Sequence, residues 1–255
     1  MIDLNQIILG DCIDVMKKIP DKSVDLILTD PPYCSGGFTE ASRRSSNGSG
    51  LRSETRAKTE WFVADNMGTN GLIFLLRTVA CESLRILKRN KSLCVFTDWR
   101  MVPAIAPAIE SAGFKWQNMI IWNKGAAGIG RGFRATHEII LQFANGVPDI
   151  YSAAEGNVIT EKKINPYARE HPTEKPVEVI KRIMDVLSGR GDIILDPFAG
   201  SGTTAIACLE TGRNYILIEK EQRYVEIIKK RIADWTGQGR LFEATVDTDG
   251  SGGLF

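Results

Sequence analysis

The chain has 255 residues, 43% of them hydrophobic and 25% charged, a globular profile with enough apolar material for a sizeable core. Its formal net charge is only +1, so overall electrostatics lends nothing to nucleic-acid binding, which would have to rest on local basic patches. Five scattered cysteines with no CxxC pair, and two histidines, His137 and His171, argue against a disulfide framework and a zinc site; no metal is expected, and a reduced, cytoplasmic setting is.

Residues 1–11 lack the basic and then apolar pattern of an export signal, and no later stretch is apolar enough to span a bilayer, so neither export nor a membrane anchor is expected. Short apolar runs that end in polar or turn residues predict strands at 6–9, 24–29, 92–97, 116–122, 138–143, 192–195 and 214–218. Apolar residues at helical spacing predict helices at 72–87, 101–111, 177–187, 203–211 and 222–235. The alternation predicts an α/β, Rossmann-like fold in a single domain, 1–255, on a mostly parallel seven-stranded sheet with helices on both faces. Two segments break the rhythm and read as long loops: 35–58, rich in Ser, Gly and Arg, and 145–175.

Open α/β sheets bind ligands at the carboxyl ends of their strands, so the strand ends are where chemistry is sought. The strand at 24–29 enters Asp30-Pro31-Pro32-Tyr33. Proline lacks an N–H and keeps the residue before it extended, so this stretch is stiff, poor in donors and rich in acceptors. An exocyclic amino group presents two N–H bonds, which the Asp30 carboxylate and the Pro31 carbonyl can accept while the nitrogen lone pair faces a methyl donor. Tyr33 offers a flat face to a base. A plain strand-to-turn exit with a buried tyrosine explains four residues equally well.

The strand at 192–195 runs into the stretch 196–204, Asp-Pro-Phe-Ala-Gly-Ser-Gly-Thr-Thr, and then a helix. Gly200 and Gly202 permit a tight turn, and the helix start offers free N–H groups. The stretch also satisfies a loose dinucleotide fingerprint, with Glu219 at the next strand end placed for a ribose diol, so an oxidoreductase is an alternative. Charge speaks against it: Asp196 would repel a pyrophosphate but welcome a ligand carrying an ammonium and a sulfonium, such as S-adenosylmethionine.

The tetrapeptide preceding a DPFAGSGTT-type turn resembles the β class of S-adenosylmethionine-dependent DNA amino-methyltransferases, in which the catalytic region comes before the cofactor region, a permuted motif order. Further matching segments are 8–11, 94–99, 121–124, 131–134 with His137 and Glu138, and 171–176 (His-Pro-Thr-Glu-Lys-Pro), so the resemblance covers nearly the whole chain. It implies that Asp30, Pro31, Pro32 and Tyr33 hold the target base. It implies too that Asp196, Phe198, Ala199, Gly200, Ser201, Gly202 and Thr203 wrap the methionine part of the cofactor and that Glu219 binds its ribose. Asp11 would lie near the adenine of the cofactor, and Thr173 with Lys175 near its carboxylate; helix capping explains these three as well. An Asp-initial tetrapeptide looks like the adenine-N6 enzymes, with cytosine N4 as the nearest alternative. RNA or protein-amide methylation, and binding of cofactor and DNA without catalysis, are more distant ones.

The implied partner is double-stranded DNA. The loop 35–58 carries Arg43, Arg44, Arg52 and Arg56 and reads as a flexible basic arm beside the reaction centre. Lys124, Arg131 and Arg134 form a second basic patch, and the segment 145–170 is a short candidate for target recognition. His137 is expected to be structural. The resemblance suits a bacterial or phage-borne modification enzyme and leaves open whether it is a homodimer.

Overall fold

The computed structural model describes residues 3–32, 68–125, 132–152, 155–163 and 174–246. Along them run β1 (Gln6–Leu9), α1 (Cys12–Met16), β2 (Val24–Thr29), α2 (Thr69–Ile86), β3 (Leu87–Thr97), α3 (Val102–Glu110), β4 (Lys115–Asn123), β5 (His137–Ala144) and β6 (Val158–Thr160). There follow α4 (Val177–Leu187), β7 (Ile193–Asp196), α5 (Thr203–Thr211), β8 (Asn214–Glu219) and α6 (Gln222–Val246).

The eight strands form one sheet in the order β1-β8-β7-β2-β3-β5-β4-β6. All pairings are parallel except those of β5, which runs against both β3 and β4. The α/β expectation holds, and the expected seven strands become eight. The added strand, β6, lies inside the 145–170 segment and pairs with β4 at the sheet edge. It has three residues of which only Ile159 is buried, too short a run to display the alternation that betrays a strand in sequence.

Alternation along the strands builds a core on each face. Ile27, Leu93, Val95, Leu195, Ile216 and Ile218 point to one face and pack with α1, α2 and α3. Their neighbours Leu26, Leu28, Cys94, Phe96, Ile194 and Leu217 point to the other and pack with α4, α5 and α6. Helix α4 shows the complementary period: Val179, Ile180, Ile183, Met184 and Leu187 are buried in one stripe, each contributing roughly 1.5–3 kcal/mol by leaving water. Strand β2 is buried along its whole length, including Asp25, whose carboxylate accepts from Lys88 Nζ at 2.8 and 2.9 Å and from the Ile193 backbone N–H at 3.0 Å.

One topological feature positions the site. From β7 the chain passes through α5 to β8 on one side, and from β2 through α2 to β3 on the other, so the crossovers diverge between the neighbours β7 and β2. A crevice opens at the carboxyl ends of strands where the connections part in this way.

Candidate active site

Asp30 follows the last residue of β2, and Asp196 is the last residue of β7, so the two acids from distant parts of the sequence stand at adjacent strand ends. Both line an open cleft of about 480 Å³, together with Thr29, Phe96, Glu174, Lys175 and the turn from Phe198 to Thr204. Asp196 is 5% exposed and fully engaged. Its Oδ1 accepts from the Thr29 hydroxyl at 3.2 Å and from the Phe198 N–H at 3.1 Å, and its Oδ2 from the Thr204 hydroxyl at 2.6 Å. Burial pushes its acid up to about 7; the charge of Asp30 adds to the rise, and the three hydrogen bonds oppose it.

The glycine turn is shaped by packing. Gly202 caps the start of α5 at φ +79°, and a Cβ there would come within 2.8 Å of Ile228 on α6. Beyond the turn, Glu219 ends β8 and receives the Gly200 N–H on Oε2 and the Glu221 N–H on Oε1, each at 2.9 Å. Burial raises its acid, and these backbone donors pull against the rise. Arg231 of α6 fastens the far wall, donating to the Ser201 carbonyl at 2.8 Å and hydroxyl at 3.0 Å and pairing with Glu174 at 2.8 Å.

Asp11 follows β1, whose end is joined to that of β8 by the Gly10 N–H donating to the Glu219 carbonyl at 2.9 Å. Its side chain caps α1, with Oδ1 accepting from the Ile13 N–H at 3.0 Å, and its Oδ2 lies 3.7 Å from Lys220 Nζ. Lys175 lines the cleft, but its ammonium sits on Asp30 Oδ2 at 2.5 Å and near Glu138 Oε2 at 3.3 Å. Lys124, read from the sequence as a DNA contact, has an 11% exposed side chain that donates to Glu138, so its charge is spent inside the protein. Arg134 is described and exposed; Tyr33, Arg43, Arg44, Arg52, Arg56, Arg131, His171 and Thr173 lie outside the described residues.

The cleft thus brings together Asp30 and Asp196 with Phe198, Ala199, Gly200, Ser201 and Thr203, and places Glu219 behind the turn. Sequence reasoning missed Thr29, Glu174, Arg231 and the ionic partnership of Glu138. Thr29 had a signal, being the last strand residue before a candidate acid. Arg231 had none, because one arginine on an amphipathic helix is ordinary. Among the described residues, no group of three or more His, Cys, Asp or Glu side chains is placed to hold a metal, and no helix is long and apolar enough to cross a membrane.

Residues 24–230 match the family model of the N6_N4_Mtase DNA methylases. The chain is 32% identical to the putative methylase YubD of Escherichia coli K12 over 231 residues, spanning 90% of this chain and 91% of that one. It is 29% identical to the type II methyltransferase M.HinfI of Haemophilus influenzae, covering 91% of this chain and 69% of the relative. Among solved structures, the complex of M1.HpyAVI with S-adenosylmethionine superposes with a TM-score of 0.64 at 24% identity, covering 89% of this chain and 98% of the other. The PvuII DNA methyltransferase, described as cytosine-N4-specific, superposes with a TM-score of 0.68 at 16% identity over 89% of this chain and 86% of that one.

Proposed function

The chain belongs to the N6_N4_Mtase family of DNA methylases, and from that premise we propose that it transfers a methyl group from S-adenosylmethionine to the exocyclic N6 of an adenine flipped out of duplex DNA. The observation that carries the reading is the meeting of Asp30 and Asp196 in one cleft at the switch between β2 and β7.

The residues present fit S-adenosylmethionine. A buried carboxyl whose acid is held near 7 is costly to ionise alone and gains from a cation beside it, which the ammonium and sulfonium of the ligand supply. A pyrophosphate in the same cleft would meet Asp196 and Glu174, so the dinucleotide alternative fits worse. When bound, the cofactor supplies an electrophilic methyl group. Glu219, already organised by the two backbone N–H groups, would accept from the ribose hydroxyls, and the segment from Phe198 to Thr203 would enclose the methionine portion.

At the acceptor side, Asp30 and the Pro31 carbonyl would take the two amino N–H bonds and so turn the nitrogen lone pair towards the methyl group. As positive charge moves onto that nitrogen, the Asp30 carboxylate stabilises it. No strong general base is needed, because the alkylated amine is acidic and loses its proton readily. The Asp-initial tetrapeptide favours adenine. Cytosine N4 is the second reading, favoured by the likeness to the PvuII fold, because both bases present the same amino geometry. Two of the similar proteins are named type II methyltransferases, and we extend to this chain the role of the modification activity in such a system.

Incubation with methyl-labelled S-adenosylmethionine and unmethylated duplex DNA, RNA or protein tests the substrate class. Label entering duplex DNA is expected; label entering RNA or protein in preference would overturn the proposal.

A further inference from the structure

Four ionic side chains alternate in sign along the sheet edge that carries the cleft: Asp30 after β2, Lys175 before α4, Glu138 at the start of β5 and Lys124 after β4. Lys175 is the pivot. Its side chain is 7% exposed, its Nζ stands 5.3 Å above the Phe96 ring, and it bridges Asp30 and Glu138. Removing an ammonium from water costs several kcal/mol, and only opposite charges offset this. Burial by itself pulls the Lys175 pKa down, but Asp30 and then Glu138 reverse that and raise it. Glu138 is itself partly buried, its side chain 24% exposed; against the cost of that burial, Lys175 and Lys124 keep it ionised, with its pKa below the usual carboxylate range.

The proposed function gives Asp30 a second task, that of receiving the amino group. A lysine with Asp30 as its sole counter-charge would settle onto it as a closed pair and draw its charge away from the substrate. A second carboxylate on the far side divides the pull. The four charges also sum to zero, so the network adds no net positive charge beside a cationic methyl donor.

We propose that Glu138 is a positioning residue for methyl transfer: acting through Lys175, it holds that ammonium between two carboxylates, so that Asp30 is fixed in direction but keeps its charge for the amino group. The inference rests on the reading of Asp30 as the amino-group acceptor. It assigns a role to an acid that does not itself line the cleft.

The test is steady-state transfer of labelled methyl into duplex DNA, scored without regard to which base is modified. Glu138→Gln keeps the shape and removes the charge; kcat should fall by roughly 10- to 100-fold, the scale of a misplaced reacting group, with S-adenosylmethionine affinity and melting temperature close to wild type. In a Lys175→Met background the same change should cost little more, because its effect travels through Lys175. A kcat within about twofold of wild type, or an equal loss in both backgrounds, would overturn the proposal. Should Glu138→Gln fail to fold, Glu138→Asp keeps the charge but shortens the reach. It is expected to fold, bind the cofactor and show a lowered kcat; a wild-type kcat there would equally overturn the proposal. A wild-type protein that transfers no methyl to DNA overturns the parent reading and this inference with it. An active wild type with an unaffected Glu138→Gln overturns this inference alone.

Discussion

The Thr29 hydroxyl donates to Asp196 Oδ1 at 3.2 Å across 167 positions of sequence, tying the strand that leads into Asp30 to the strand that leads into the glycine turn. The bond is buried, so the relative height of the two strand ends, and with it the offset between acceptor and donor sites, is set by the core rather than by loops. Two acids so placed influence each other, as the rise that Asp30 causes in Asp196 records.

Binding of S-adenosylmethionine should therefore depend on pH with a definite sign. The ligand-free Asp196 acid lies at about 7, and a cationic ligand selects its ionised form, so below that pH a proton must leave on binding. Affinity should weaken by up to about tenfold per pH unit below 7 and level off above it. Removing the Asp30 charge in Asp30→Asn should move the break to lower pH, and Asp196→Asn should abolish it along with most of the affinity. Calorimetry in buffers of different ionisation enthalpy reads the proton directly; no proton release at pH 6 would contradict this account.

Asp30→Ala should remove the amino-group acceptor while leaving the cofactor half intact. Methyl transfer should drop by at least about 100-fold, the scale of losing one preorganised charge contact in a transition state, with S-adenosylmethionine still raising the melting temperature. NAD should give no such rise. Parallel loss of turnover and cofactor binding would place Asp30 on the cofactor instead.

Gly202→Ala should destabilise the fold. A side chain at φ +79° is strained, and its Cβ would press on Ile228 at 2.8 Å. Together these cost about 1–3 kcal/mol, measurable as a lower urea midpoint. Trimming the partner in Ile228→Ala would relieve the contact but not the backbone, so the double variant should recover only part of what Gly202→Ala loses.

Glu219→Gln replaces an acceptor-only group by an amide, and one of the N–H donors from Gly200 and Glu221 then faces another donor. Affinity for S-adenosylmethionine should fall by roughly 10- to 100-fold, the equivalent of about 1.5–3 kcal/mol for a hydrogen bond to a charged group. The kcat at saturating cofactor should change far less. A fall in kcat with unchanged affinity would argue that Glu219 serves the turn and not the ribose.

The order in which the site became legible follows from the range of the forces involved. Asp196, the glycine turn and Glu219 are read from sequence because a strand end, a tight turn and a helix start are local. The pairing of Asp30 with Asp196 is not local, and only the motif resemblance anticipated it. Lys175 and Lys124 show the limit. Each looks in sequence like a cation awaiting an anionic ligand, yet each is neutralised by a carboxylate on another element of the fold, Lys175 by Asp30 145 positions away and both by Glu138 near the start of β5. The strand reading likewise succeeded wherever both cores pressed on the sheet and missed β6, whose single buried side chain leaves no pattern.

The most direct measurement of the central claim is digestion of duplex DNA, methylated by the purified protein with S-adenosylmethionine, to nucleosides that are identified by mass. The account predicts N6-methyl-2′-deoxyadenosine as the new nucleoside in DNA treated with wild type and its absence with Asp30→Ala; N4-methyl-2′-deoxycytidine alone, or no modified nucleoside from folded, cofactor-bound protein, would contradict it.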